Sequence, residues 1–436
     1  MFDEEDIIAV FKLKTLTPLV ITAKRGAGNF IKTLDIIPAS SLIGALCRAI
    51  VLTNMDNKRG KCAELKDTVT LPDCDNCSLN DKCLYPKLWR NQFLSNKNNE
   101  KIIVSWAYPI NKSIESNINN ILYAPVIPSL KSLIKPRIRM SDAKEIYDSL
   151  IFYGLFEIGR KYGITRFIDI LGPKVKNRIP TKPMSATVYY DEKSKRIQEI
   201  NINTTQITHI TISDILKTVE TGNDGEKGEL YHYEAISENN IFYFYIISKK
   251  RYIDLLMKHM KDHPIQIGAA KSRGYGFVEI EKVIETTVNK YISERLKKIQ
   301  EYNSKFESYI TSQRNFSNKL FLTITGLSPL KIDNKTVQEA LLFRINQKVE
   351  ILKFFFTLDT FLRIDISKPQ ITFNLTPIVN AGYSVFIEIT TKEDEKEKEN
   401  IIRQLLEWEI KIPYESWFGW YFINHPIHFS YLEEVI

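Results

Sequence analysis

No run of about 18 apolar residues occurs in the sequence, so no membrane-spanning helix is expected. The opening "MFDEEDIIAVF" carries acids where a secretory leader carries cations. No H-E-x-x-H, G-x-S-x-G or cysteine–histidine nucleophile signature is present. The six histidines (His209, His232, His259, His263, His425 and His428) are scattered along the chain. The cysteine pattern of a secreted, disulfide-stapled scaffold is missing too, because four of the five cysteines crowd into residues 62–83. A cytoplasmic protein with no familiar hydrolase signature is the expectation.

The 436 residues suggest two or three domains, and a composition 44% hydrophobic and 11% aromatic can build a sizeable core. A formal charge of +8 permits a polyanionic partner without demanding one.

Residues 7–22 ("IIAVFKLKTLTPLVIT") are rich in apolar and β-branched residues and predict a strand. The basic loop "AKRGAGNF" follows. Then "IPASSLIGALCRAIVLT" places Pro38, Ser40 and Ser41 ahead of an apolar helical pattern, which predicts an N-terminal cap. Residues 54–100 read as a polar, cysteine-bearing insertion, residues 144–163 as a helix, and residues 191–230 as an extended loop or exposed hairpin. "IFYFYII" (241–247) predicts a strand and "RYIDLLMKHMKDH" a helix. Residues 281–315 are charged and free of proline and glycine, which predicts a helical connector between an N-terminal domain (1–280) and a C-terminal one (316–436). The acidic run at 391–400 reads as the solvated opening of a helix, its acids favoured by the helix dipole.

The two halves echo one another. "KLFLTITGLSPLKI" resembles the first strand, and a strand–helix–strand unit closes each half. Phe244 to Gly276 and Ile387 to Gly419 are each 32 residues apart. Matching starts and matching ends point to a duplicated α+β module.

Two constellations carry chemistry. Cys62, Cys74, Cys77 and Cys83 include a C-x2-C core with two further thiols in easy reach, the donor set of a closed structural zinc site. Cys47, in an apolar helix, reads as a core residue. The second constellation is "IGAAKSRGYGFVEI" (267–280). Glycines let backbone N–H groups approach phosphate oxygens, Lys271 and Arg273 neutralise charge, and Tyr275 offers a ring to a base. A tight hairpin with solvated charges explains the same residues. The segment is neither a Walker loop nor a dinucleotide fingerprint, because no helix follows it. His232, beside two tyrosines, reads as structural. Asp35 has the chemistry to orient a 2′-OH or hold a metal, although the turn role is the commoner one for a lone loop aspartate.

Together these segments resemble the RAMP superfamily of CRISPR-associated proteins. "IGAAKSRGYGFVEI" is similar to the family's glycine-rich loop. "IPASSLIGALCRAI" is similar to its "IPGSSLKGALR" helix, with Ala39 where glycine is usual and Ile43 replacing a basic residue. The segment from "TQITHITISDI" to "IFYFYI" resembles its strand-rich centre, and cysteine clusters after the first helix recur in the superfamily. The resemblance implies an α+β fold of two ferredoxin-like (RRM-like) modules with a zinc-binding insertion and a glycine-rich loop. It also implies an RNA-facing set of Lys24, Arg25, Ser40, Ser41, Arg48, Gly268, Lys271, Ser272, Arg273, Gly274, Tyr275 and Gly276. Two halves, with "ITFNLTPIVNAGYSVFIEI" in the second, look most like the subunit of type III (III-D-like Csm/Cmr) effector complexes that holds the 5′ tag of the CRISPR RNA. Implied partners are that RNA, other RAMP subunits and a large polymerase/cyclase-like subunit. The second loop keeps Gly419 but loses the other glycines and the flanking cations, so the second module is expected to be architectural or to face protein. The competing readings are a metal-dependent endoribonuclease using Asp35, a metal-independent CRISPR RNA processing nuclease using a histidine or tyrosine, and a zinc-stabilised scaffold without RNA contact.

Overall fold

The computed structural model describes residues 5–25, 30–65, 74, 76–79, 82–89, 102–136, 146–168, 181–210, 230–311, 315–332, 348–365, 372–392, 394–411 and 419–430. Among them strands and helices mix in an α+β arrangement whose strand pairs are almost all antiparallel. No helix of the described residues is long and apolar enough to cross a membrane.

The chain forms two compact units, Met1–Ser116 with Asn201–Thr287, and Asn117–Ile200 with Val288–Ile436. This departs from the linear division expected at residues 280 and 315. The reason lies in burial: the helix Leu150–Tyr162 places Leu150, Leu155 and Ile158 in one apolar cluster with Phe306, Phe321 and Phe386. Gly154 lets this helix close on the Phe386 ring, where a Cβ would collide. The predicted connector is mostly helix but opens on a strand. The strand Phe277–Thr287 runs through its first residues, and the helix Val288–Thr311 buries Ile292, Ile299 and Phe306 as core of the second unit.

In the first unit the main sheet runs Ile265–Gln266, Phe277–Thr287, Asp6–Thr15, Ile241–Lys249, then Ile103–Val104 with Tyr108–Ile110, every pair antiparallel. The central pair explains the sequence signal: Phe11 stacks on Phe244 at 5.3 Å across the register pair they form. Each fully buried side chain of this size contributes about 1.5–3 kcal/mol. The helices Ala39–Asp56 and Lys250–Asp262 pack together in this unit. The second unit repeats the order as Tyr421–Ile423, Lys319–Gly326, Ser384–Thr390, Val349–Phe355, again antiparallel. Its helix Glu395–Lys411 opens with Glu395 and Glu397 in the first turn, as the acidic run predicts.

The repeat extends to individual hydrogen bonds. In the first unit Leu16 and Thr17 N–H donate to the Phe277 carbonyl, at 2.9 and 3.4 Å, and Gly276 N–H donates to Pro18 at 2.9 Å. In the second, Leu327 and Ser328 N–H donate to Trp420, at 2.8 and 3.1 Å, and Gly419 N–H donates to Pro329. The hydroxyls of Thr17 and Ser328 accept from Phe277 N–H and Trp420 N–H respectively. Gly276 and Gly419 have φ of +81° and +79°, the left-handed region that favours glycine.

A polar network closes the second unit. Asp148 accepts from Ser132 and pairs with His428 Nδ1 at 2.7 Å, while His428 Nε2 meets the Thr325 hydroxyl at 2.6 Å. The group resembles a catalytic relay, but both Asp148 and His428 are buried, so it has no access to substrate and ties the 117–200 segment to the helix Pro426–Phe429 and the strand Lys319–Gly326.

Candidate nucleic-acid interface

The glycine-rich segment folds as a turn pinned at both ends. Ile267 N–H donates to Gly276, Ala269 N–H donates to Val20, and Gly276 N–H donates to Pro18. Between these anchors lies a single 3₁₀ turn, Lys271–Arg273, flanked by Ala270 and Gly274 in left-handed conformation. At Gly268 a Cβ would strike the Val20 carbonyl, and at Gly276 it would strike the carbonyl of Ile267. These two glycines therefore use their freedom to dock the turn on the chain's own backbone. Gly274 differs: its φ is +83°, and a Cβ there would meet nothing within 4 Å. The tight-hairpin explanation thus accounts for Gly268 and Gly276, while Gly274 faces open space.

The tip Ser272–Gly274 is exposed, with Lys271 and Tyr275 half-buried beside it. Burial and the nearby Arg48 guanidinium both push the Lys271 ammonium's pKa down. Arg48 comes from the middle of the helix Ala39–Asp56, and its Nε is buried without a hydrogen-bond partner. Two cations are therefore held close together, an arrangement that an anion would relieve. Gln266 Nε2 braces the turn through the Lys271 and Tyr275 carbonyls at 3.3 and 3.4 Å.

Other expected positions fall elsewhere. Ser40 and Ser41 do not cap the helix. Pro38 occupies the N-cap without a side-chain bond, and the serines lie in the first turn because the helix begins at Ala39. Lys24 and Arg25 sit on the strand Thr22–Arg25, and their side chains lie outside the described residues. Asp35 is exposed; surrounding protein atoms raise its carboxyl's pKa, Lys32 lowers it and Glu234 raises it further. His232 meets the Thr208 hydroxyl at 3.0 Å.

In the insertion, Cys77 N–H donates to the Cys74 carbonyl, Lys61 N–H donates to Cys77 Sγ at 3.4 Å, and Asn54 Nδ2 approaches Cys83 Sγ at 3.6 Å. Burial, with Cys83 and Cys77 nearby, pushes the Cys62 thiol up to about 11. Burial likewise raises Cys83 and, more strongly, Cys47, the latter reinforced by Cys83 and Cys74. Cys47 is buried, as a core residue should be. Among the described residues no group of three or more His, Cys, Asp or Glu side chains is gathered closely enough to hold a metal ion.

A model of the RAMP superfamily matches residues 12–279, a span running from the first strand through the pinned turn. The chain belongs to the RAMP superfamily. No curated protein matches this RAMP chain. Among solved structures, a type III-B Cmr-beta complex bound to cognate target RNA is similar at 14% identity, covering 63% of this chain and 96% of that one, with a TM-score of 0.30. The apo Cmr-beta structure gives 14%, 63%, 97% and 0.30. A Cmr-beta complex with target RNA and AMPPnP gives 12% identity, 86% of each chain and 0.32. Likeness at that level carries no argument about this RAMP chain's function.

The sequence marked the turn of this RAMP protein but not its seat. Pro18 and Val20 supply the carbonyls that dock it, and Leu16, which leads into that seat, is 47% exposed. The signal lay in the repeated Leu-Thr-Pro and Leu-Ser-Pro at 16–18 and 327–329.

Proposed function

We propose that this RAMP protein is a non-catalytic RNA-binding subunit of a type III CRISPR effector ribonucleoprotein, holding the 5′ tag of the CRISPR RNA and docking to neighbouring subunits. The observation that carries the reading is the pinned turn, which presents Ser272–Gly274 to solvent beside Lys271 and Arg48. RNA phosphates lie against the open side of Gly274, and Lys271 and Arg273 add charge-assisted contacts. The strand order of the first unit, with the helix Ala39–Asp56 coming after the strand Asp6–Thr15 and the helix Lys250–Asp262 after the strand Ile241–Lys249, supports a ferredoxin-like module. The second unit has the same order but no cations at its loop, which supports an architectural role.

Lys271→Ala combined with Arg273→Ala is expected to weaken RNA binding and to lower the slope of log K against log salt by at most about 2. Titration of labelled RNA over a salt series measures both. Unchanged affinity and slope would remove the RNA-facing assignment of this turn.

The cysteine insertion is proposed to bind structural zinc through Cys62, Cys74, Cys77 and Cys83. Four soft thiols suit that ion, and N–H groups of Lys61 and Asn54 already approach two of the sulfurs. Native, reduced protein should carry about one zinc per chain, and chelation should destabilise the insertion. Elemental analysis of protein purified without added metal decides it; finding no zinc rejects the site.

A further inference from the structure

The internal repeat makes Leu16 conspicuous. Leu16 and Leu327 occupy equivalent positions: each N–H donates to the residue after the turn glycine, Phe277 or Trp420, and each is followed by a hydroxyl residue and a proline. Leu327 is 2% exposed, so in the second unit this seat is filled. Leu16 is 47% exposed, so in the first unit the same seat is open to solvent. An isolated exposed leucine needs no explanation by itself. A seat covered in one copy of a module and open in the other does.

The surroundings of the open copy favour one occupant. Leu16 lies across the backbone pair from Phe277, which is half-buried. The exposed tip with Arg273 and the Arg48–Lys271 pair stand at the same turn. The filled copy has no lysine or arginine next to Gly419. An apolar shelf beside cations fits an unstacked nucleobase whose phosphate is held next to it, because every base has an apolar face while phosphate needs charge.

We infer that Leu16 is a positioning residue on which one base of a single-stranded RNA rests, with Phe277 extending the shelf and the Lys271–Gly274 turn holding the adjoining phosphate. The inference rests on the RNA-facing reading of the turn. It adds a base-contacting surface that the charged residues do not supply.

The test compares the wild-type protein, Leu16→Ala, Leu16→Trp and the Lys271→Ala/Arg273→Ala variant, each with a labelled single-stranded RNA and with the same RNA bearing abasic positions. Because Leu16 is half exposed, Leu16→Ala should leave the thermal midpoint unchanged, which checks that folding is intact. Leu16→Ala is expected to weaken binding of the base-bearing RNA on the order of 5-fold, with an unchanged salt slope. Leu16→Trp should restore or exceed wild-type affinity, and the abasic RNA should bind the wild type and Leu16→Ala equally. Wild-type affinity of Leu16→Ala for base-bearing RNA overturns the inference, as does an equal loss on both RNAs. If the double-alanine variant lowers the salt slope while Leu16→Ala does nothing, only the base shelf fails. If neither variant changes binding, the RNA-facing reading itself falls.

Discussion

Replacing Glu409 with alanine is expected to destabilise the second unit by about 3–5 kcal/mol. Arg295 is fully buried, its Nη2 paired with Glu409 Oε2 at 3.3 Å and donating to the Ile423 carbonyl at 2.6 Å. Its guanidinium lies 3.8 Å above the Phe422 ring. Burial alone would lower the Arg295 pKa, and Glu409 with Tyr291 holds it up. Glu409 also accepts from Tyr291 at 2.7 Å and from the Ile423 N–H at 2.9 Å. Its removal strands a charge away from water together with two donors. The guanidinium's Nε and Nη1 already lack a partner, so they offer no compensation. The measurement is the urea midpoint of the full chain. A loss below about 1 kcal/mol would mean that the guanidinium reaches solvent or another acceptor when Glu409 is gone.

The second large effect is expected at Gly276. Gly276→Ala forces a left-handed φ of +81° on a residue with a Cβ and drives that Cβ into the Ile267 carbonyl. The conformational strain alone costs about 1–3 kcal/mol. The collision also breaks the bond between Gly276 and Pro18 that pins the turn. RNA affinity should fall together with stability. Gly274→Ala is the control, because it meets the same backbone strain but open space. Equal effects of the two changes on folding would show that the docking contact at Gly276 contributes nothing beyond its φ.

Much of this architecture was written in the chain at short range. The 32-residue spacing from Phe244 to Gly276 and from Ile387 to Gly419 reported a repeated strand–helix–turn, and the repeat holds down to paired hydrogen bonds at Pro18 and Pro329. Local patterns of that kind are fixed by turn chemistry and period. The membership of residues 117–200 was not legible, because it depends on contacts such as His428 with Asp148 and His425 with the Pro125 carbonyl. Those pairs join positions hundreds of residues apart and leave no periodic trace. The helix boundary at Ala39 was misplaced for a simpler reason. Pro38 can hold the N-cap with its own backbone geometry, so the serines were free to enter the first turn. The turn's glycines were visible as a group, but sequence does not distinguish a glycine that touches backbone from one that faces outward.

The interleaving of the two units has a consequence for biogenesis. The chain passes between them three times, after residues 116, 200 and 287. As the polypeptide leaves the ribosome, the helix Leu150–Tyr162 emerges long before Phe306, Phe321 and Phe386, the residues that cover it. Its apolar face waits through well over a hundred further codons, the interval in which chaperones bind and wrong partners compete. The first unit is interrupted in the same way, since the strand Asp6–Thr15 gains its neighbours only when Ile241–Lys249 and Phe277–Thr287 arrive. The residues of the first unit are all in place once Thr287 has emerged, while the second, opened at Asn117, still waits for its segment from Val288 onward.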